Sequence, residues 1–235
     1  MISVCVTTYN GEKYIKEQLD SIVCQLDNSD EIIISDDGST DKTLEIVKSI
    51  DFPNIRIIHH TEENGYTANF EFAISHAKGD YIFLSDQDDV WAEDKVKVCM
   101  QLLTQYDLVV SDATITDQNL NHADDSFFSS RGVYSSLLGN IYKFGYLGCC
   151  MAFKRSILKK ALPFPKNRTF CTHDNWLFLV SKCYFHTCIT PQKLVLYRRH
   201  QDTTSTGSIN KHEPLSFRIK YRLYLIYHLI IIGCR

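Results

Sequence analysis

Apolar residues follow two different spacings along the first half of the chain. Short continuous apolar runs predict buried strands, whereas the segments between them repeat apolar residues three and four positions apart and predict helices with one face in the core. The predicted strands are Ile2 to Thr7, Glu31 to Ser35, Ile55 to His59, Tyr81 to Leu84 and Leu108 to Ser111. Because strands and helices alternate, the pattern predicts strand-helix-strand units and a mainly parallel sheet.

Each predicted helix carries one apolar stripe, and turn residues separate the helices from the strands. The stripes contain Ile15, Leu19, Ile22, Val23 and Leu26, then Phe70, Ala73, Ile74 and Ala77, then Val96, Met100 and Leu103. Asn10-Gly11, Asp37-Gly38 and Asn64-Gly65 are turn signals, because glycine adopts the positive φ that tight turns require.

The second half of the chain is less regular. It predicts a polar loop from Asp117 to Ser130, a turn or strand edge at 148–150 and a helix from Asn175 to Tyr184. No internal repeat or low-complexity linker divides the chain, so one main domain over residues 1–213 is expected.

Residues 214–235 form an amphipathic tail, in which Arg218, Lys220 and Arg222 are interleaved with Tyr, Leu and Ile. This composition is typical of a helix at a membrane interface and also of a helix packed on the core, and packing on the core is the favoured interpretation. The apolar run over 223–234 is interrupted by His228 and is too short to span a bilayer.

Composition and charge limit the classes of protein to which the chain can belong. The 235 residues suffice for one well-buried domain, and 28 acidic residues slightly outnumber 25 basic ones. Because nucleic-acid-binding proteins usually carry a basic surplus, no nucleic-acid partner is expected, and an anionic ligand must be held locally by a metal or by backbone groups. Nine scattered cysteines, together with the lack of a basic leader or cleavage site, indicate reduced thiols and a cytoplasmic protein.

Carboxylates cluster directly after the fourth predicted strand, where an open parallel sheet binds its ligand. Asp86, Asp88 and Asp89 crowd one turn of the sequence Ser-Asp-Gln-Asp-Asp. Such a cluster repels itself unless a cation is present, and oxygen ligands suit Mg²⁺ or Mn²⁺ shared with phosphate oxygens. The alternative interpretation is a helix N-cap with a solvated loop.

A second acidic pair follows the second predicted strand. A carboxylate of Asp36 or Asp37 is placed to accept a hydrogen bond from a pyrimidine N3–H or a ribose hydroxyl. The alternative is turn chemistry at Asp37-Gly38, with Ser39 or Asp41 as the N-cap of the next helix.

Three motifs together resemble family-2 glycosyltransferases. Thr7-Thr8-Tyr9-Asn10-Gly11, then Ser-Asp-Asp-Gly-Ser-Thr-Asp from Ser35, then Gly79-Asp80-Tyr81-Ile82 leading into Asp-Gln-Asp-Asp, occur in the order and approximate spacing of that family. The resemblance implies a GT-A fold, an α/β/α sandwich with a mixed, mainly parallel sheet. It also implies a D-x-D motif and inverting transfer of a sugar from a nucleotide diphosphate donor. The roles it carries to this sequence are nucleotide binding for Thr8, Tyr9, Asp36, Asp37 and Asp86, and metal binding for Asp88.

Downstream motifs extend the resemblance. Gly148-Cys149 with Phe153 and Arg155 resembles a segment that approaches the sugar and acceptor, and His173-Asp174-Asn175-Trp176 resembles a His-Asp-Trp motif whose aspartate is the general base. An inverting transfer needs a carboxylate to take the proton of the attacking hydroxyl. Asp174 is also placed to N-cap the following helix, which is compatible with that role. The residues expected on the acceptor and sugar side are Gly148, Cys149, His173 and Trp176.

The segment from Tyr197 resembles the family's Tyr-Arg-x-His motif. His200 is expected to complete the metal site or contact the diphosphate, and Arg198 or Arg199 to stabilise phosphate charge. The polar stretch from Asp202 to Asn210 is expected to be a lid that orders on donor binding.

The expected enzyme therefore has a nucleotide-binding half over 1–115 and an acceptor-side half over 116–213. The motif forms are most similar to rhamnosyl- and galactosyltransferase-like bacterial enzymes of surface polysaccharide synthesis. That resemblance implies a UDP- or dTDP-sugar donor, a divalent metal, and a glycan or polyprenyl-linked glycan acceptor. A lipid-linked acceptor would bring the protein to the inner membrane face, with the basic and aromatic residues 217–227 as the candidate contact.

Other classes lack their required motifs. The segment after the first strand lacks the glycine-rich basic loop of nucleotidyltransferases, and neither G-x-G-x-x-G nor G-x-x-x-x-G-K-[ST] occurs in the chain. A non-catalytic nucleotide-sugar or carbohydrate-binding relative of the same fold stays as the alternative.

Overall fold

A computed structural model describes residues 1–60, 65–200 and 214–234. Its strands are β1 (Ile2–Thr8), β2 (Glu31–Asp36), β3 (Ile55–His59), β4 (Tyr81–Ser85), β5 (Val90–Trp91), β6 (Leu108–Thr116), β7 (His122–Asp124), β8 (Met151–Lys154) and β9 (Thr187–Arg198). Its α-helices are α1 (Ile15–Val23), α2 (Thr43–Lys48), α3 (Tyr66–His76), α4 (Lys95–Leu103), α5 (Phe127–Arg131), α6 (Leu137–Tyr142), α7 (Leu158–Ala161), α8 (His173–Tyr184) and α9 (Leu215–Gly233). Short 3₁₀ helices span Gly148–Cys150 and Arg155–Ile157.

The strands form one nine-stranded mixed sheet in the order β3-β2-β1-β4-β8-β6-β9-β5, with β7 paired to β6. The first four strands in this order are parallel, and their continuous apolar sequences fit burial on both faces. Ile32, Ile33 and Ile34 of β2, for example, are fully buried. The five strands predicted from the sequence are confirmed.

The second half inserts antiparallel pairs into this sheet. β8 runs antiparallel between β4 and β6, β9 runs parallel to β6, and β5 is antiparallel to β9. The predicted polar loop from Asp117 to Ser130 was wrong in part, because it contains β7 and the start of α5. Ser126 begins that helix as an N-cap that accepts a hydrogen bond from the Ser129 amide.

The longest strand, β9, was missed. It is twelve residues long, but Pro191, Gln192 and Lys193 interrupt its apolar pattern and are exposed. The pairing between β6 and β9 shifts register at the same place, between Ser111 and Ala113. An irregular strand of this kind gives neither a clean alternation nor a continuous apolar run.

The helices cover the sheet. α3 packs against β1 and β2, whereas α4 packs against β6, β8 and β9. The C-terminal tail forms α9, which packs beside α6 and α8 with Tyr221, Leu225, Leu229 and Ile232 buried. This confirms the favoured prediction that the tail packs on the core. Within the described ranges, no helix combines the length and the apolar character needed to cross a membrane.

Candidate active site

Two parallel strands end side by side at the edge where the site forms. Thr8 of β1 is the register partner of Asp36 of β2, and its hydroxyl donates to Asp36 Oδ1 at 3.0 Å. The loops that follow are tied together by Asn10, whose Oδ1 accepts the Thr40 amide hydrogen at 2.8 Å. The first two sequence motifs therefore meet at one edge of the sheet, as the parallel arrangement requires.

The two aspartates after β2 differ in their hydrogen bonding. Asp36 is buried, and besides Thr8 it accepts hydrogen bonds from the Gly38 amide and from the amide and hydroxyl of Ser39. Asp36 therefore holds the turn closed. Asp37 Oδ2 accepts the Gly65 amide hydrogen at 3.0 Å, but its buried Oδ1 accepts no hydrogen bond from the part of the chain described. Of the pair, Asp37 is the residue with an oxygen left for a ligand.

Gln87 fixes the backbone of Tyr9. Its Oε1 accepts the Tyr9 amide hydrogen at 2.9 Å, and its Nε2 donates to the Tyr9 carbonyl at 3.0 Å. Gly11 leaves room for this side chain, because a Cβ at Gly11 would lie 2.3 Å from Gln87 Oε1. The loops after β1 and β4 are thus joined by one amide, while the Tyr9 ring remains exposed.

Replacing Gln87 with alanine is expected to weaken donor binding by about tenfold, because two hydrogen bonds that order the Tyr9 segment are lost. Calorimetric titration with the donor measures the change. Gln101→Ala, an exposed glutamine on α4, is the matched control and should bind as wild type. Unchanged affinity in the Gln87 variant would show that Tyr9 does not depend on this amide.

Asp86 and Asp89, which follow β4, lie close to Cys149. One ligand atom from each of the three residues lies within 4.8 Å of the others. Burial, followed by the charges of Asp89, Asp88 and Asp174, raises the pKa of Asp86 well above its ordinary value. Burial and the charge of Asp88 raise the pKa of Asp89 to about 8. The carboxylate charges at this turn repel one another, so they favour binding of a proton or a cation.

The two carboxylate oxygens of Asp89 differ in their hydrogen bonding. It is fully buried, and its Oδ1 accepts the Arg198 amide hydrogen at 3.0 Å. Its Oδ2 has no hydrogen-bond partner among the described residues. Cys149 is also buried, and a hydrogen bond to Cys150 followed by burial raises the pKa of its thiol well above the ordinary value, which keeps it protonated at neutral pH.

Asp88 and His200, the predicted metal ligands, are in direct contact. His200 Nε2 lies 2.8 Å from Asp88 Oδ2, and both side chains are largely buried. The Tyr14 ring packs on the imidazole with ring centroids 4.9 Å apart. An imidazole nitrogen and a carboxylate oxygen at this separation can share a proton or a divalent cation.

Arg198 is a brace for this turn. Its Nε donates to the Asp88 carbonyl at 2.7 Å, Nη1 to the Gln118 carbonyl at 2.8 Å, and Nη2 to Glu17 Oε2 at 2.6 Å. The guanidinium also lies over the Tyr14 ring, and the residue is buried. The expectation that Arg198 stabilises phosphate charge does not fit this geometry, because each of its guanidinium nitrogens already donates to the protein.

Asp174 lies in the first turn of α8, which begins at His173, two residues earlier than predicted. Thr172 occupies the N-cap position that was expected for Asp174. The Asp174 Oδ1 accepts hydrogen bonds from the Thr172 hydroxyl and from the Asn175 amide. Within the described chain both hydrogen bonds fall on Oδ1, so Oδ2 is the oxygen left for a substrate proton.

The start of α8, which carries Asp174, lies against the turn that carries Cys149, because Gly148 of that turn contacts the His173 ring. Burial, followed by the charges of Asp89, Asp88 and Asp174, raises the pKa of Asp86, and burial followed by the charge of Asp174 raises the pKa of Tyr66. Tyr66 is exposed, and its ring centroid lies 5.8 Å from that of His173.

His173 is a buried, neutral histidine. Its ring stacks on Phe70 with centroids 4.0 Å apart, and a Cβ at Gly148 would lie 2.2 Å from its Nε2. Burial lowers the pKa of His173 to about 4. Both ring nitrogens are buried, and neither has a hydrogen-bond partner in the described residues.

The low pKa of His173 predicts acid sensitivity. Between pH 6.5 and pH 4 the unfolded chain takes up a proton that the folded protein does not, so folding stability falls by about 3 kcal/mol over this range. In urea unfolding at several pH values, His173→Gln should lose about that much less stability on acidification than wild type. His122→Gln, at an exposed histidine, should behave as wild type. Equal acid sensitivity in all three proteins would contradict the prediction.

Trp176 and Lys95 are internal supports. Trp176 is fully buried, and its Nε1 donates to the Ala161 carbonyl at 2.8 Å, a position that favours packing over the acceptor contact expected from the sequence. Lys95 is fully buried too, with Nζ 2.6 Å from the Cys149 carbonyl and 4.3 Å from the centre of the Trp91 ring. Lys95 thereby fixes the turn that carries Gly148 and Cys149.

Comparison with known proteins shows which family the chain belongs to. The sequence matches the family described as Glycosyl transferase family 2 over residues 3–162 of the 235. That span contains the Thr8 to Gly11 loop, both acidic turns and the Gly148–Cys150 turn. The chain belongs to glycosyltransferase family 2. It is a glycosyltransferase enzyme with the GT-A fold.

One relative and two solved structures illustrate the range of this family. RfbG of Shigella flexneri, described as a dTDP-rhamnosyl transferase, is 31% identical over 247 residues, covering 92% of this chain and 77% of RfbG. TarS 1–349 of S. aureus, solved with UDP-GlcNAc, has a TM-score of 0.67 at 19% identity, covering 97% of this chain and 72% of that one. The mannosyltransferase PcManGT of Pyrobaculum calidifontis, solved with GDP-Man and Mn²⁺, has a TM-score of 0.62 at 20% identity and covers 97% of this chain. The present chain spans 62% of PcManGT, less than two thirds.

In this glycosyltransferase the structure brings together most of the predicted site residues. Thr8, Asp36 and Asp37 lie at one end of the site, and Asp86, Asp88 and His200 lie at the other. Sequence reasoning assigned no role to Gln87 or Lys95, and it placed Asp89 in the carboxylate cluster without predicting its contact with the Arg198 amide. Gln87 and Asp89 stood inside the recognised acidic motif, but their partners are 78 and 109 residues away in sequence. The predicted lid from Asp202 to Asn210, and Asn64 of the third turn, lie outside the described residues.

Proposed function

We propose that this enzyme transfers a sugar from a nucleoside diphosphate donor to a hydroxyl group of a glycan or polyprenyl-linked glycan acceptor, with inversion at the anomeric carbon. The observation that carries it is the contact between two turns: a Cβ at Gly148 would lie 2.2 Å from Nε2 of His173, the neighbour of Asp174. The next residue, Cys149, has its sulfur within 4.8 Å of carboxylate oxygens of Asp86 and Asp89, so the candidate base on the acceptor side lies next to the carboxylate cluster on the donor side. The nucleotide-binding half is residues 1–115, and the acceptor-side half is residues 116–213.

The nucleoside end of the donor is held after β1 and β2. The Oδ1 of Asp37, which accepts no hydrogen bond from the described residues and lies 3.6 Å from His60 Nδ1, is the acceptor for a base N–H or a ribose hydroxyl. Asp36 keeps its turn in place. Thr8 and Tyr9 line the same edge, with the Tyr9 ring free to stack on the base. The names of the three related proteins carry dTDP, UDP and GDP, so the fold alone does not select the nucleotide.

Asp88 and His200, beside Asp86, would hold a divalent cation, Mn²⁺ or Mg²⁺, next to the donor diphosphate. The residues fit such an ion, because the Asp88 and His200 ligand atoms converge to 2.8 Å and the neighbouring carboxylates carry raised pKa values. When bound, the ion neutralises charge on the departing nucleoside diphosphate. The chain itself contributes the rigid turn, which Arg198 and Gln87 hold from two sides.

Asp174 acts on the acceptor. Its Oδ1 is held by Thr172 and the Asn175 amide, so Oδ2 faces the attacking hydroxyl and takes its proton as the new glycosidic bond forms. The sugar–phosphate bond breaks on the opposite side of the anomeric carbon, and its electron pair leaves with the diphosphate. His173 is neutral and offers a ring nitrogen for a sugar hydroxyl without competing for the proton.

A donor panel tests this proposal. Wild type and Asp88→Ala are titrated by calorimetry with UDP-, dTDP- and GDP-sugars, each with and without Mn²⁺. We expect one nucleotide-sugar to bind in a metal-dependent manner and Asp88→Ala to abolish that binding. Metal-independent binding in both proteins, or no binding of any donor, would favour a non-catalytic carbohydrate-binding relative. The pathway we infer, from the likeness to RfbG and from the motif forms, is synthesis of surface polysaccharide.

A further inference from the structure

α9 has an apolar stripe on its outer side. Ile219, Leu223, Ile226, Tyr227 and Ile230, here called the α9 stripe, are all exposed, with Leu223 at 61% and Ile230 at 63%. Spacings of three and four residues place them along one side of the helix. The opposite side is anchored in the core by four buried side chains. The stripe is therefore additional to the apolar surface that holds the helix on the protein.

α6 extends this apolar surface. Leu138 is 77% exposed, and Tyr142, one turn later, is also exposed. Arg222 of α9 connects the two helices, because its Nη2 donates to the Tyr142 carbonyl at 3.0 Å and its guanidinium lies 4.5 Å from the centre of the Tyr142 ring. A contiguous apolar patch of this kind on a protein surface marks an interaction site.

The charged residues of α9 are all basic. α9 contains Arg218, Lys220 and Arg222 and no Asp or Glu, although the whole chain has a net charge of −3. Among the described residues, no carboxylate forms a salt bridge with any of the three. Lys160 adds a fourth positive charge at the other end of the helix, where Nζ lies 3.1 Å from the Ile232 carbonyl. The excess positive charge complements an anionic surface and disfavours a second copy of the same helix.

The inner side of α9 reaches the catalytic residues. Tyr221, on the buried side, has its hydroxyl 3.4 Å from Asn175 Nδ2, directly beside Asp174. Burial and the charge of Asp174 raise the pKa of Tyr221. One helix therefore separates the apolar stripe from the candidate base by little more than its own width.

We propose that the α9 stripe docks the enzyme on an anionic phospholipid bilayer. The apolar side chains enter the boundary between headgroups and acyl chains, and the exposed Lys220 contacts lipid phosphate, while Arg218 and Arg222 add positive charge on the same helix. Docking brings Asp174 to the bilayer surface, where the hydroxyl of a membrane-anchored acceptor is presented. This assignment of the acceptor rests on the proposed function, whereas bilayer binding does not.

Vesicle co-sedimentation of the whole 235-residue chain tests the docking. Vesicles of phosphatidylglycerol mixed with phosphatidylcholine are compared with vesicles of phosphatidylcholine alone. We expect wild type to bind the anionic vesicles preferentially. Lys220→Glu should weaken that binding by at least about fivefold, the value of one basic residue near an anionic surface. Lys97→Glu, the same charge change at an exposed lysine of α4, should bind as wild type.

A double variant removes the apolar contribution. Leu223→Ser with Ile230→Ser should reduce vesicle binding by about tenfold or more, because both side chains lose their burial in the bilayer. If this variant fails to fold, judged by circular dichroism, the Lys220 and Lys97 pair still decides the matter. Equal binding to both vesicle types, or equal binding by both lysine variants, would overturn the proposal.

Two further outcomes test whether the stripe binds a second copy of the chain and whether the proposed function holds. Wild type that ignores vesicles but self-associates in solution, with the double serine variant monomeric, would assign the stripe to a second copy and overturn bilayer docking. Donor binding in the absence of vesicles is measured separately by calorimetry, with and without Mn²⁺. Vesicle binding without metal-dependent donor binding would refute the proposed function and leave the docking standing.

Discussion

Asp174→Asn is expected to lose about a thousandfold in the rate of sugar transfer while binding the donor as wild type does. Asparagine keeps an oxygen that accepts the hydrogen bonds of the Thr172 hydroxyl and the Asn175 amide, so the start of α8 should be preserved. It cannot take the proton of the acceptor hydroxyl, and a general base contributes about 10²- to 10⁴-fold to a rate. The measurements are kcat for transfer and the donor Kd by calorimetry.

The matched control is Asp20→Asn, an exposed aspartate of α1 paired with Lys16. It should leave both kcat and the donor Kd unchanged. Full transfer activity in Asp174→Asn would remove Asp174 as the base. Loss of donor binding together with activity would indicate a structural role for Asp174 and leave the base unassigned.

Removal of the divalent metal by chelation is expected to weaken donor binding by at least about 100-fold, and Asp88→Ala or His200→Ala should do the same even with Mn²⁺ present. Bridging a diphosphate through a cation supplies several kcal/mol that the surrounding carboxylates would otherwise oppose. Calorimetric donor titrations with and without Mn²⁺ measure the difference.

Cys149→Ser separates the two candidate ligand sets at the acidic turn. If the ion is held by Asp88 and His200, this variant should keep its metal dependence, because a buried protonated thiol contributes no thiolate. If the ion instead lies among Asp86, Asp89 and Cys149, Cys149→Ser should lose metal-dependent binding and His200→Ala should keep it. The pair of variants therefore distinguishes the two positions directly.

The parts of the fold that could be predicted from the sequence are those whose own residues show a clear apolar pattern. β1, β2 and β4 are continuous apolar runs because both their faces are covered, and the residues that follow them had to lie at one edge. β9 could not be found in this way. Its exposed Pro191 and the register shift opposite it are set by the partner strand, which the local pattern does not show.

The site shows the same limit at the level of single side chains. Asp88 and Asp174 were recognised from short motifs, and the structure brings their neighbourhoods together. Arg198 or Arg199 was expected to stabilise phosphate charge, because an arginine beside a metal site suits an anion. The Arg198 guanidinium instead donates to Glu17, which is 181 residues away in sequence. No local sequence pattern indicates a partner at that distance.

The brace formed by Arg198 makes the acidic turn depend on a residue made late in synthesis. The β3-β2-β1-β4 part of the sheet is complete once residue 85 has been made, yet the backbone around Asp88 and Asp89 is fixed only when β9 delivers the Arg198 amide and guanidinium. A chain that stops before residue 187 therefore lacks the contacts that fix the acidic turn, although every residue of that turn is present.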